Sequence, residues 1–332
     1  MRAELLGPEV MKALALTKDM GEFLERLSQT PYREDVEKGR ERVSATELER
    51  IFNKRFVGRL ERIVRVCPRD LSEFFQTYYY MKLEIRNLKR ILRGKFSKVP
   101  VDRIMELLIS LEPYQSLAFK ELLMAEGLRD FVALLKGTSY APSEDSLALS
   151  ENYDTLWPLE ARLNYLYVEA VRGVLSKIPP ADRHRARLMV ELEADVENLL
   201  LAITWRSAGK ELPPLESVFQ HSYGFSPKMF RELIECRDLD KAIKGLASPY
   251  AEIFKPVLEE NVALVRTNLR RHIYEMAERG RVRDDFGFPC IMSYLTSYEA
   301  ERGDLVAIAW GKEQGVQPER ILTYSVLPAY AP

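Results

Sequence analysis

Cysteine and histidine are nearly absent, with three of each in 332 residues. Cys67, Cys236 and Cys290 stand too far apart for a disulfide framework or a paired-cysteine metal site. His184, His221 and His272 have no cysteine or acid at ligand spacing, so no metal and no other cofactor is expected. A GxSxG nucleophile elbow is missing too. No apolar run approaches the roughly 18 residues of a membrane span. Glu4 and Glu22 break any signal-peptide pattern. The formal net charge is −1, so no overall field draws the chain to nucleic acid or anionic lipid. Alternation with period two is scarce, which removes the case for a sheet. The expectation is a reduced, cytoplasmic, all-α chain, long enough for two or three cores.

What the chain does contain is one helical pattern written three times. The first copy runs Met81-Lys-Leu-Glu84-Ile-Arg-Asn87-Leu88 and on to Gly94-Lys95. The second carries Asp195, Asn198 and Leu199, with Gly209-Lys210 beyond. The third carries Glu301, Asp304 and Leu305, with Gly311-Lys312 beyond. Met81, Ile85, Leu88, Ile91 and Leu92 share one helical face, and Glu84 falls inside it. Asp195 and Glu301 keep that phase. A carboxylate on a buried apolar face needs hydrogen-bond donors or a positive partner, or it stays protonated. Since catalysis needs one site and a repeated fold needs its polar contact in every copy, these acids are expected to be structural. Their expected donors are a helix N-terminus, a tyrosine or an arginine.

Spacing supports the repeat. Leu48 to Asn87 and Leu159 to Asn198 are both 39 residues, and Asn87 to Phe119 and Asn198 to Phe230 are both 32. The corresponding interval from Leu258 to Asp304 is 46, which implies an insertion near Gly280 to Pro289. Turns at Tyr32, Tyr140 and Tyr250 close equivalent segments. A period of about 110 residues divides the chain into helical repeats 1–110, 111–222 and 223–332. In each copy a Gly-Lys pair followed by proline reads as a helix end, glycine taking the left-handed position and lysine complementing exposed carbonyls. Ala141 to Asp154 and Arg279 to Pro289 read as loops.

Other signals are weaker. Asp285-Phe286-Gly287 spells the metal-binding triplet of protein kinases, but the accompanying kinase segments are missing. Asp284-Asp285 leaves open an all-α enzyme acting on a magnesium diphosphate, although the pair runs into Phe-Gly-Phe-Pro rather than along a helix. A helical scaffold is a blander alternative, with a repeat longer than the usual solenoid unit. Basic stretches at Lys82 to Lys98, including Lys89, Arg90 and Arg93, and at Arg266 to Arg283 read first as solvated helix faces. They could also dock on an acidic protein surface or on lipid headgroups.

The segments Glu84-Ile-Arg-Asn87-Leu88, Asp195-Val-Glu-Asn198-Leu199 and Tyr298-Glu-Ala-Glu301-Arg-Gly-Asp304-Leu305, with Trp310-Gly-Lys312, resemble the C subunits of V/A-type rotary ATPases, the family that includes the eukaryotic d subunit. The likeness spans essentially the whole chain. It implies three similar helical domains arranged as a pseudo-threefold funnel, without catalysis, cofactor or small-molecule substrate. It also implies a place in the central stalk, on the cytoplasmic face of the membrane-embedded proteolipid ring, holding the shaft subunits D and F and passing torque during ion-coupled ATP synthesis or hydrolysis. Tyr32, Tyr140, Tyr250, Lys89, Arg90 and Arg93 are the expected partner contacts; Glu84, Asn87, Asp195, Asn198, Glu301 and Asp304 are the expected structural set.

Overall fold

A computed structural model describes residues 4–37, 43–208, 224, 227–259, 261–281 and 287–331. Among them every regular element is helical, so the fold is all-α. In chain order the α-helices are α1 (Pro8–Ala15), α2 (Met20–Leu27), α3 (Arg33–Glu37), α4 (Ala45–Val66), α5 (Arg69–Phe75), α6 (Lys82–Phe96), α7 (Val101–Glu106), α8 (Phe119–Met124), α9 (Leu128–Leu134), α10 (Glu144–Asn152), α11 (Trp157–Val174), α12 (Pro180–Ala208), α13 (Pro227–Glu235), α14 (Leu239–Lys244), α15 (Tyr250–Phe254), α16 (Val262–Arg281), α17 (Phe288–Glu313) and α18 (Pro318–Thr323). A π-helical stretch, Gln76–Met81, joins α5 to α6.

The chain divides into two compact units: one made of 1–62 and 248–332, the other of 63–247. The first unit is built on α17, which is buried around most of its circumference from Met292 to Lys312. Leu305, Ile308 and Ala309 of α17 share one core with Met11 and Leu14 of α1 and with Phe23 and Leu27 of α2. On another side α4 presents three polar residues, four and six positions apart. Glu49 accepts from the Trp310 indole at 2.8 Å, Asn53 accepts from Arg302 at 2.8 Å, and Arg59 donates to the Tyr294 hydroxyl at 2.7 Å. Buried polar groups need such partners, and this spacing fixes the rotation of α4 about its own axis.

In the second unit α6 has the central position. Its buried face is Leu83, Glu84, Ile85, Asn87, Leu88, Ile91 and Leu92, as the apolar stripe of the sequence requires. The π-helical stretch sets Tyr78 against Phe74, Tyr79 and Tyr167, and the Tyr167 hydroxyl donates to the Tyr78 carbonyl.

Two local expectations are corrected. Within Ala141 to Asp154 the chain forms α10 rather than a loop: Ser143 accepts from the Ser146 amide, and Glu144 and Asp145 occupy the first turn, where acids complement the helix dipole. Gly94 and Gly311 are not left-handed residues after a helix. They lie inside α6 and α17, and the left-handed residues are Lys98 (φ 55°) and Gly315 (φ 68°), four positions later in both cases. The reason for glycine is close approach. A Cβ on Gly94 would stand 2.5 Å from the Ile104 side chain, and one on Gly311 would stand 2.7 Å from that of Ile321. Of the expected loop from Arg279 to Pro289, residues 279–281 close α16 and 288–289 open α17. Asp284 and Asp285 lie outside the described residues, as do His221 and the middle Gly209-Lys210 pair.

Candidate functional site

The residues singled out by the repeat converge on buried carboxylates. Glu84 is 2% exposed, and Glu301 and Asp195 are fully buried. In the second unit, Glu84 accepts from the Ser116 amide at 2.6 Å, from the Ser116 hydroxyl at 3.0 and 2.8 Å, and from the Tyr140 hydroxyl. Asp195 accepts from the Gly224 amide at 2.8 Å. In the first unit, Glu301 accepts from the Leu6 amide at 2.5 Å and from the Tyr32 hydroxyl at 2.6 Å. Each of these acids therefore takes a backbone N–H, and Glu84 and Glu301 each take a tyrosine as well.

The next polar position along the helix repeats the logic with different chemistry. Asn87 exchanges two bonds with Ile109, donating to its carbonyl at 2.8 Å and accepting from its amide at 2.9 Å. Asp304 cannot donate when ionised, and instead accepts from the Val326 amide at 2.9 Å and the Leu327 amide at 2.7 Å. Both segments lie 22 residues downstream of the acid or amide. Asn198 is partly buried on α12.

A third recurrence involves the lysines. Lys95 donates to the carbonyls of Leu123 at 2.7 Å and Ala125 at 2.5 Å, at the end of α8. Lys312 donates to the Ala15 carbonyl at 2.8 Å and to the Thr17 carbonyl, at the end of α1. Lysine does complement exposed carbonyls, but those of another helix rather than its own. The turns that follow match as well. Thr30 and Thr138 donate to the carbonyls of Leu27 and Leu135 at 2.6 and 2.7 Å and accept from the amides of Tyr32 and Tyr140 at 3.2 and 3.1 Å. That double contact ends the helix and turns the tyrosine ring inward.

Burial decides the electrostatics. It pushes the Glu301 carboxyl up to about 7 against the opposing pull of Tyr32, Leu6, Arg59 and Arg55. It pushes Asp304 up to about 6 against its bonds to Val326 and Leu327. The Tyr32 and Tyr140 hydroxyls are raised by burial and then by the acid each one serves.

Most of the expected partner contacts turn inward. Tyr32 and Tyr140 are buried, so their turns rather than their rings remain available to a partner, and Tyr250 is half-buried at the start of α15. Arg93 makes a two-bond pair with Glu160 at 2.6 Å, Lys89 donates to Asn164 at 2.6 Å, and Arg90 donates to the Leu107 carbonyl. Lys82 pairs with Glu193 at 2.8 Å. Much of this basic stretch therefore ties α6 to its own unit. In the other stretch Arg271 donates to the Ser325 carbonyl at 2.6 Å, and Arg279 pairs with Glu275. Sequence reasoning missed Ser116, Leu6 and Ile109, whose backbone groups carry no signature. The fixed 15-residue interval from Thr17 to Tyr32 and from Ala125 to Tyr140 was the available signal for the lysine acceptors.

Among the described residues no group of three His, Cys, Asp or Glu side chains could hold a metal, and no helix is long and apolar enough to cross a membrane. The family model described as ATP synthase (C/AC39) subunit matches residues 1–324. The chain belongs to that family. Similar proteins are the A-type ATP synthase C subunits of Thermococcus onnurineus, 24% identical over 329 residues that cover 97% of this chain and 86% of the relative, and of Methanobrevibacter smithii, 23% identical with 96% and 83% covered. That of Desulfurococcus sp. is 25% identical with 97% and 86% covered. In a chain of the C/AC39 family the recurrent sites at Glu84 and Glu301 are contacts that hold helices, with every donor described here coming from the chain itself.

Proposed function

We propose that the chain is a non-catalytic coupling subunit of an A-type ATP synthase. It would sit in the central stalk on the cytoplasmic face of the membrane, seated on the proteolipid ring and holding the shaft subunits D and F. Family membership supports the complex; the resemblance noted in the sequence supports the place within it. The observation that carries the non-catalytic reading is the treatment of the conspicuous acids. Glu84 and Glu301 are spent on backbone amides and tyrosines of their own unit, in the same pattern twice. A general acid or nucleophile must reach a substrate, and these do not reach solvent.

The same recurrence supports the threefold reading of the sequence, with modules near 1–110, 111–222 and 223–332. In that reading the acid of one copy answers the tyrosine-bearing turn of the next, and the last copy answers the first. Torque transmission needs stiffness, and helices locked by satisfied buried polar groups supply it. The alternative of a diphosphate enzyme at Asp284 and Asp285 has no described geometry behind it.

The test is co-purification. Solubilised from membranes in mild detergent at low salt, a tagged chain should bring down the shaft subunits and the proteolipid ring. Recovery with neither would overturn the assignment to the stalk. A low-resolution envelope of the isolated chain tests the three-lobed funnel separately.

A further inference from the structure

Both ends of the first unit's chain are held on α17 by carboxyls one helical turn apart. Glu301 holds Leu6 and Tyr32, on either side of α1 and α2. Asp304 holds Val326 and Leu327, just beyond α18. The equivalent pair in the second unit is Glu84 and Asn87, where the amide cannot titrate in this range. On α17, by contrast, both members of the pair are ionisable acids, neither with any solvent exposure, beneath segments that are not continuous with their helix.

We propose that residues 5–32 form a proton-operated strap, held on α17 by the neutral Glu301 carboxyl and loosened when that carboxyl ionises. The neutral form suits the site. The neutral carboxyl keeps both contacts, one oxygen accepting from the Leu6 amide and the other from the Tyr32 hydroxyl. The ionised form leaves a charge beside the apolar core formed by Met11, Leu14, Phe23 and Leu305.

Charged groups approach Glu301 from several elements. From α4 come Arg55 and Arg59, but each guanidinium lies over a ring, Tyr32 and Tyr298 respectively, with 4.3 Å to the centroid. Arg59 is also paired with Glu4, and Arg55 with Asp35. On α17 itself Tyr298 lies one turn before and Asp304 one turn after, and Arg302 turns to Asn53. Arg270 and Arg271 of α16 act on Asp304. These cations offset part of the burial penalty and leave the carboxyl at about 7. Release of the strap returns the acid to water, so opening grows about tenfold per pH unit above pH 4.5 and levels near pH 7, about 300-fold in all.

The experiment is hydrogen–deuterium exchange on the intact chain from pH 5 to pH 8, corrected for intrinsic rates, with α6 of the second unit as internal control. In the wild type, protection of Leu6 and of the α1 and α2 amides should fall by about 70-fold between pH 5 and pH 8, levelling off above pH 7. In Glu301→Gln the pH dependence should shrink to the part that Asp304 alone supplies and level off near pH 6. Tyr32→Phe removes a bond that favours the ionised form, so the levelling-off should move to higher pH. A flat wild-type profile overturns the strap, as does an unchanged slope in Glu301→Gln. If Glu301→Gln does not fold, an unmoved levelling-off in Tyr32→Phe overturns it instead.

Discussion

Replacing Gly94 by alanine puts a methyl 2.5 Å from Ile104 Cδ1 and 2.6 Å from its Cγ1. Taken alone, alanine in a helix interior is better than glycine by about 1 kcal/mol. Ile104 is 3% exposed and reverses that sign. Its Cγ1 is bonded directly to its Cβ, so no swing of a free chain end relieves the overlap; χ1 must change, which β-branched residues in helices resist. The remaining escape is to part α6 from α7. Overpacking of this kind costs about 1–3 kcal/mol, leaving a net loss of up to about 2 kcal/mol. The control is Gly173 in α11, where an added Cβ meets nothing within 4 Å and alanine should stabilise by about 0.5–1 kcal/mol. Both residues belong to the second unit, which lets one melt compare them. Thermal unfolding followed by circular dichroism should show Gly94→Ala melting lower by up to about 8 °C and Gly173→Ala higher by about 1–4 °C. Gly311→Ala should behave like Gly94→Ala in the first unit, because Ile321 stands 2.7 Å from its would-be Cβ. An equal rise in melting temperature for Gly94→Ala and Gly173→Ala would refute the close-approach argument.

Lys95→Met and Lys312→Met each remove the donor to two carbonyls at a helix end, and should lower stability by about 2–4 kcal/mol in urea titrations. The acid Asp304, raised to about 6 from 3.8, binds its proton more tightly folded than unfolded. Its contribution is therefore fully present below about pH 4 and lost as pH rises through about 6, a difference on the order of 3 kcal/mol. Asp304→Asn should flatten that part of the profile of melting temperature against pH, and an unchanged profile would count against a buried titrating carboxyl. A double-mutant cycle on Arg93 and Glu160 should give a coupling under about 1 kcal/mol despite the two-bond geometry, because the arginine side chain is 63% exposed.

The helical character and the buried acids were legible because periodicity reports which face a residue occupies. Glu84 and Glu301 fall within apolar stripes, and a carboxylate there must find donors. Which donors it finds was not legible, since Tyr140 is 56 residues from Glu84 and Tyr32 is 269 from Glu301. Tyr32 and Tyr140 stand out at repeated turns as expected partner contacts, but burial against Glu301 and Glu84 takes their rings out of reach. Local sequence grammar makes a glycine after a helix left-handed, whereas the reason for Gly94 is Ile104, a residue that sequence alone does not bring near. Ala141 to Asp154 failed for a related cause: Ser143, Glu144 and Asp145 suit a loop and a helix start equally well. The basic run on α6 reads as a surface by composition, but its fate depends on where Glu160, Asn164 and Glu193 lie.

The 269-residue separation between Tyr32 and Glu301 also bears on how the chain is made. At roughly 5–20 residues per second, α1 and α2 leave the ribosome well before α17 exists. Met11, Leu14, Phe23 and Leu27 must spend that interval without the helix they are built to cover. Nascent copies of this protein are thus exposed early and completed late, and an interruption of synthesis before α17 leaves the opening segment sticky and without its seat.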